Sequence, residues 1–212
     1  ARRVNLHEWG VPQTRIRHVL VALRGRPFTW DAVAQAPLRD VRWAISDLLD
    51  IEPEGVWDIA STPSPENRER IAWLFRNGKH DLPNELRPPC HRGHHSYVSM
   101  YGRLYWDRPA QTVTTGFQSM GQGRFVHPAR PRTLTPHEAA RLQFLPDFVQ
   151  WSEGGSRSAL ARMIGNAAPP ALTMRIIQAI LREEAGDAAA APPDLRIGTP
   201  LEEKENGLAA RG

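Results

Sequence analysis

From residue 79 to residue 133, glycine, proline, serine and threonine punctuate the chain, and the runs between them are short and β-like. Ser96-Tyr97-Val98-Ser99-Met100-Tyr101 and Ala110-Gln111-Thr112-Val113-Thr114-Thr115 are two such runs. On either side the pattern is helical. Before the punctuated stretch, Leu38, Val41, Ile45 and Leu48 recur at helical spacing behind Pro37. Ser64-Pro65 then opens a second helix, which carries Ile71, Trp73, Leu74 and Phe75 and stops at Asn77-Gly78. After the stretch, Thr135-Pro136-His137-Glu138 is a capping box with proline at the first helical position, and its helix carries Ala139, Leu142 and Gln143. A last helix follows Pro169-Pro170, with Leu172, Ile176, Ile177 and Ile180 on its apolar side. The chain must therefore fold as an irregular β-rich unit enclosed between helices.

One further strand is expected near the start. Val19-Leu20-Val21-Ala22-Leu23 is a short apolar run closed by Arg24-Gly25, and its length favours a buried strand. Arg15 and Arg17 stand just before it, two residues apart and so on one face. Charge is unevenly spread along the 212 residues, whose formal net charge is +4. Residues 183–212 hold seven acids and three bases, which leaves the body at +8. Only Lys79 and Lys204 among the 27 basic residues are lysines. An arginine-rich, basic body suits phosphate oxygens and guanine edges, although arginine bias also follows genome composition. No apolar run reaches the length of a membrane span and no signal peptide is apparent, so a cytoplasmic, bacterial or phage setting is expected. The single cysteine fits a reducing compartment. A chain that begins Ala-Arg-Arg is expected to be a fragment of a longer protein.

Several blocks carry a family likeness when taken in order. They are Trp9-Gly10-Val11-Pro12-Gln13-Thr14-Arg15-Ile16-Arg17, then residues 132–143, then Ile164-Gly165-Asn166-Ala167-Ala168-Pro169-Pro170. Together they resemble the last three blocks of the DNA (cytosine-5)-methyltransferase family, with the target-recognition region between them. The family's cofactor loop, Pro-Cys nucleophile loop and Glu-Asn-Val block normally precede this point and have no counterpart in the chain. The resemblance therefore implies the C-terminal half of such an enzyme.

What the likeness implies can be stated by residue. Arg17 matches the arginine held at the pyrimidine O2 of a flipped cytosine, where charge develops as a thiolate adds to C6. Arg15 matches the supporting arginine, and Gln13 opens the block. The plainer reading of an isolated Arg-x-Arg is a solvated strand end. Asn166 and the backbone of Ala167, with Gly165 letting the chain approach a ligand, match positions that contact S-adenosyl-L-methionine. Here the plain alternative is a loop entering a helix. In the second block the family often reads Leu-Gln-Gly-Phe-Pro, whereas this chain has Leu142-Gln143-Phe144-Leu145-Pro146, which puts the local turn in question.

Residues 108–125 resemble the family's recognition core, with Thr112-Val113 in the place of its Thr-Leu pair. Gly116, Gly121 and Gly123 would let a loop enter a groove closely, and Gln118, Gln122 and Arg124 carry groups able to read base edges. A glycine-rich hairpin without a ligand is the alternative. Pro89-Cys90 imitates the nucleophile motif, but it follows the Arg-x-Arg block and precedes His91 rather than glutamine. Cys90, His91, His94 and His95 are too compact for a closed zinc site, so no metal is expected and a surface loop is the better reading.

The expectation is an α/β protein: the C-terminal part of a Rossmann-like S-adenosylmethionine-dependent domain plus a small, irregular β-rich target-recognition domain. Residues 1–30 would be the edge of the catalytic domain and 31–133 the recognition domain with its helical lead-in. Residues 134–183 would be helices returning to the catalytic domain, and 184–212 a disordered tail. Double-stranded DNA is the expected partner, together with a separate N-terminal catalytic half. The alternative is a non-catalytic DNA-binding subunit or a degenerate remnant.

Overall fold

The computed structural model describes residues 1–92, 99–149, 156–185 and Ile197. Two small sheets organise the N-terminal part. Strand β1 (Arg2–Asn5) pairs antiparallel with β3 (Ile16–Val19), placing Val4 opposite Arg17. Strand β2 (Gln13–Thr14) pairs parallel with β4 (Ala110–Gln111), with Gln13 opposite Ala110. The second pairing stitches the Gln13 block to a segment nearly a hundred residues later. Helices α1 (Val41–Ile45), α2 (Gly55–Asp58), α3 (Pro65–Arg76), α4 (Pro136–Leu142), α5 (Arg157–Asn166) and α6 (Pro170–Ala185) complete the described framework, joined by short 3-10 turns. Helix α4 packs against α1, α2 and α5.

The helix signals in the sequence are realised locally. Ser64 caps α3 by accepting from the Asn67 N–H, with Pro65 at the first position, and Gly78 takes a left-handed φ of 59° just past its end. At α4 the Thr135 hydroxyl accepts from the Glu138 N–H (3.1 Å) while the Glu138 carboxylate accepts from the Thr135 N–H (2.9 Å). Each link satisfies a donor that the first helical turn leaves without a partner.

Two apolar clusters form. The larger takes in Val11, Ala44, Ile45, Val113, Phe117, Leu134, Leu142 and Ile164, all fully buried. The smaller gathers Ile71, Leu74, Leu82, Tyr101, Met120 and Val126 between α3 and the punctuated region. Helix α4 is lined with ionic contacts as well. Arg132 donates through both terminal nitrogens to Glu138 (2.8 and 2.7 Å), and His127 lies beneath the pair with Nε2 3.5 Å from Glu138 Oε1. Arg141 binds Asp47 and Asp147 (2.6 Å each), and His137 binds Asp58 (2.7 Å) and Asp147 (3.1 Å).

Several expectations are corrected. The apolar run 19–23 is not a buried strand: β3 ends at Val19, and Leu20 is 75% exposed. Val19 and Val21 pack half-buried against the larger cluster, whereas the alternate residues Leu20 and Ala22 are exposed, so the run is covered on one side only. Leu38 is exposed outside α1, because Asp40 rather than Pro37 caps that helix. The β-like run 96–101 is a turn in its described part, residues 99–101, with Tyr101 at a left-handed φ of 63°. Ile177 is exposed on α6, while Leu172 and Ile176 are buried. Most of the expected disordered tail lies outside the described residues, although α6 itself continues to Ala185.

The question raised by Phe144 has a clear answer. The turn that glycine would make is retained, with Phe144 at a φ of 61°. A non-glycine residue there carries a steric penalty on the order of 1–2 kcal/mol. Burial of the ring offsets it. Phe144 stacks on Trp43 at 5.9 Å with an interplanar angle of 9°, and the Arg39 guanidinium lies 5.0 Å from its centroid.

Candidate functional site

Gln13, the first residue of β2, is fully buried and uses both ends of its amide. Its Nε2 donates to the Leu142 carbonyl (2.9 Å) and to Gln143 Oε1 (2.6 Å), and its Oε1 accepts from the Val113 N–H (3.0 Å). Arg15 lies beside it, only 6% exposed. Its Nη1 donates to the Val113 carbonyl (2.9 Å), and Nη2 reaches the Gly165 carbonyl (3.3 Å) at the last turn of α5. A cation suits that position because unpaired carbonyls collect at a helix C-terminus. No carboxylate pairs with Arg15 among the described residues. Burial, and secondarily the charge of Arg17, pulls its pKa down to about 10, so it stays charged at neutral pH.

Arg17 is placed differently. It lies on β3 with its side chain exposed, donates to the carbonyl of Ile16 (2.7 Å), and forms no ion pair among the described residues. The pair Arg15 and Arg17 thus divides into one arginine locked inside the protein and one presented to solvent.

Gly165 and Asn166 end α5 rather than start a helix, and the next helix begins at Pro170. A Cβ on Gly165 would lie 2.3 Å from the Thr115 nitrogen and 2.5 Å from the Thr114 carbonyl carbon. The missing side chain therefore admits the protein's own backbone rather than a ligand. The Ala167 N–H is likewise occupied, donating to the Ile164 carbonyl (3.2 Å). Of the three residues matched to cofactor contacts, Asn166 alone presents an exposed polar side chain.

An open cleft of about 830 Å³ joins the Thr14 end of β2 to the glycine-rich stretch around residue 123. Thr14, Gln111, Thr112 and Thr114 line it together with Gln122 and Arg124. Thr112 faces this cleft and anchors its hydroxyl on the Thr14 carbonyl (2.8 Å), whereas Val113 is fully buried beneath it. Gln122 is exposed and available to a ligand. Arg124 is engaged within the protein: it donates to the carbonyls of His80 (2.8 Å) and Arg103 (3.0 Å) and pairs with Asp81 (2.5 Å). Gln118 points its amide at the Arg157 carbonyl (3.2 Å). The glycines of the loop also serve packing, since a Cβ on Gly116 would meet Gln122, on Gly121 Tyr101, and on Gly123 the Phe125 ring.

Cys90 is exposed in a 3-10 turn, beside a histidine whose Nδ1 lies 2.8 Å from the Tyr101 hydroxyl. His94 and His95 lie outside the described residues. Among the described residues no group of three metal-ligating side chains comes together, and no helix is long and apolar enough to cross a membrane. Sequence reasoning overlooked Gln143 as part of the site. Its only signal was its place at the end of the capped helix.

Comparison with known proteins bears on this geometry. The model of the C-5 cytosine-specific DNA methylase family matches residues 3–182. The type II methyltransferase M1.BsuMI of Bacillus subtilis is 45% identical over 174 residues, covering 80% of this chain and 40% of that protein. The type II methylase M.HgiDII of Herpetosiphon aurantiacus is 35% identical over 191 residues, covering 84% of this chain and 54% of that protein. The chain thus spans about half the length of these relatives. A solved structure presumed to be a DNA modification methyltransferase, encoded within an Escherichia coli prophage, shares 19% identity at a TM-score of 0.48, over 85% of this chain and 59% of that one.

Proposed function

This chain belongs to the C-5 cytosine-specific DNA methylase family, and on that premise we propose that it is the target-recognising, C-terminal portion of an enzyme that methylates C5 of cytosine in double-stranded DNA. The observation that carries the proposal is the placement of Arg17. An exposed arginine stands two residues from a buried one, and the buried one is tied directly to the segment that lines the cleft.

In this reading residues 31–133 hold the DNA, and residues 1–30 with 134–183 form the edge of the catalytic domain. Duplex DNA lies against the cleft. Thr112 and Gln122 face base edges, and arginines elsewhere contact phosphates and set position. The target cytosine leaves the stack, and Arg17 meets its O2 with a fixed positive charge. That charge stabilises the electron density that builds on the ring as a nucleophile adds to C6. Arg15 and Gln13 hold the strand below it rigid.

S-adenosyl-L-methionine supplies the methyl group. The described residues fit it only in part, since Gly165 and the Ala167 N–H are taken up by internal contacts and Asn166 is left to meet it. The thiolate and most of the cofactor cleft are proposed to come from the part of the fold that this chain does not span. By itself the chain is expected to bind DNA without methylating it, and Cys90 to take no part.

The test is co-expression of this chain with the N-terminal portion of the Bacillus subtilis relative, followed by transfer of radiolabelled methyl groups to duplex DNA. Arg17→Ala should lower transfer by about 10²- to 10³-fold, the effect of removing one preorganised charge donor, with little change in DNA affinity. Unchanged turnover in that variant overturns the role given to Arg17. DNA binding that is never accompanied by transfer favours a non-catalytic DNA-binding subunit instead.

A further inference from the structure

Two fully buried glutamines, Gln13 and Gln143, meet at 2.6 Å inside the main core. Gln143 is the C-cap residue of α4, and its side chain touches all three segments of the site. Its Oε1 accepts from Gln13 Nε2 and from Arg15 Nη1 (3.4 Å). Its Nε2 donates to the Ile164 carbonyl (2.7 Å) and lies 3.4 Å from the carbonyls of both Val113 and Gly165. A buried amide needs partners for both its donor and acceptor ends, and here the partners come from three different stretches of chain. Gly165 closes the arrangement, because only the absence of a Cβ lets the end of α5 lie against the backbone of Thr114 and Thr115.

We infer that Gln143 is a positioning residue, which locks the Gln13–Arg17 segment, the cleft-lining segment 110–115 and the end of α5 into one unit. It touches no substrate. It sets where Arg17 stands relative to the segment that faces DNA, so that engagement of the target and stabilisation of the reacting ring are fixed by one side chain. The role given to Arg17 rests on the function proposed above, whereas the mechanical link does not.

Two substitutions separate the two ends of the amide. Gln143→Met keeps the volume and removes every hydrogen bond. Gln143→Glu keeps an acceptor for Gln13 and Arg15 but sets an oxygen against the Ile164, Gly165 and Val113 carbonyls. Amide hydrogen exchange is followed on the whole chain without any cofactor. In Gln143→Met, residues 13–17, 110–115 and 163–167 should exchange together, about tenfold faster or more, while α3 keeps its protection. In Gln143→Glu residues 13–17 should stay protected, while 163–167 and, less strongly, 110–115 should open, since both lose the Nε2 donor. Faster exchange everywhere in both variants, up to failure to fold, marks Gln143 as an ordinary core residue and overturns the inference. No change in either variant overturns it too.

The co-expressed enzyme supplies the second readout. Gln143→Met should lower kcat by about 10²-fold, the cost of a misplacement on the order of 1 Å, with the Kd for DNA within about twofold of wild type. Loss of affinity with kcat intact refutes the positioning role. If the wild-type pair transfers no methyl group, the proposed function fails, and the exchange pattern still decides the mechanical link.

Discussion

Substituting Gly165 with alanine separates two readings of that residue by the sign of one measurement. If the glycine lets the backbone approach a small ligand, an added methyl group costs the apo protein nothing. Near the end of α5 it would help, since alanine is better than glycine within a helix by up to about 1 kcal/mol. The structure says otherwise. The new Cβ would sit 2.3 Å from the Thr115 nitrogen and 2.5 Å from the Thr114 carbonyl carbon, both backbone atoms with no rotamer to change. Relief requires the end of α5 to move off the 114–115 segment, an overpacking cost of about 1–3 kcal/mol. That movement also pulls the Gly165 carbonyl away from Arg15. Allowing for the helix gain, a net loss of about 1–2 kcal/mol is expected, which lowers Tm by roughly 2–8 °C for a chain of this size. Thermal unfolding followed by far-ultraviolet circular dichroism measures it directly. A Tm that is unchanged or raised refutes the close approach, and with it the reason given for glycine at this position.

Two further outcomes are expected. Gln122→Ala should cost about 1–3 kcal/mol on the preferred duplex and little on scrambled DNA, whereas Arg124→Ala should lower the Tm and weaken binding to every sequence, because its donors brace His80, Asp81 and Arg103. Competition binding at two salt concentrations, beside a melting curve, distinguishes the two, and a purely sequence-specific defect in Arg124→Ala would return it to the list of base readers. The second outcome concerns His127, which burial pulls down to about 4, with Glu138 opposing and Arg132, Arg130 and Arg103 adding to the effect. Its Nδ1 accepts from the Ala129 and Arg130 N–H groups (2.9 Å each). The unfolded histidine takes up a proton near pH 6.5 that the folded one refuses, so stability should fall by up to about 3 kcal/mol as pH drops from 6.5 towards 4. His137 acts in the opposite sense: burial lowers its pKa, but its bonds to Asp147 and Asp58 outweigh that and raise it. The stability it adds is complete below about pH 6.5 and is lost only as pH rises through its folded value. Urea midpoints at pH 7, 6 and 5 should therefore fall in the wild type and flatten in His127→Asn, and an equally steep fall in the variant rules His127 out as the cause.

How much was legible before the fold was seen can be judged element by element. The capping box at Thr135, the Ser64-Pro65 start and the stop at Asn77-Gly78 were all readable, because each signal lies within a few residues of the groups it satisfies. The order of blocks pointed to the family, which the match over residues 3–182 bears out. Spacing put Arg15 and Arg17 on one face at the end of a strand, but Arg15 lies between β2 and β3 and turns inward while Arg17 faces out. That one is buried and the other exposed did not follow from their spacing, because burial depends on what packs above a residue rather than on its neighbours in the chain. The run 19–23 shows the same limit, as does Ile177, whose apolar character was visible but whose exposure was not. Gly165 and Arg124 were recognised as unusual residues and given ligands, whereas the fold supplies backbone and carbonyl groups from the protein itself at the same positions. Gln143 carried no local signal beyond its place at the end of the capped helix. Its partners lie 21, 22, 30, 128 and 130 residues away in the chain, so its two hydrogen-bonding ends are specified only when the strands and helices that carry those partners have already come together. Local backbone chemistry is written in short stretches of sequence; the satisfaction of a buried polar group is a property of the packed core, and only the tertiary structure decides it.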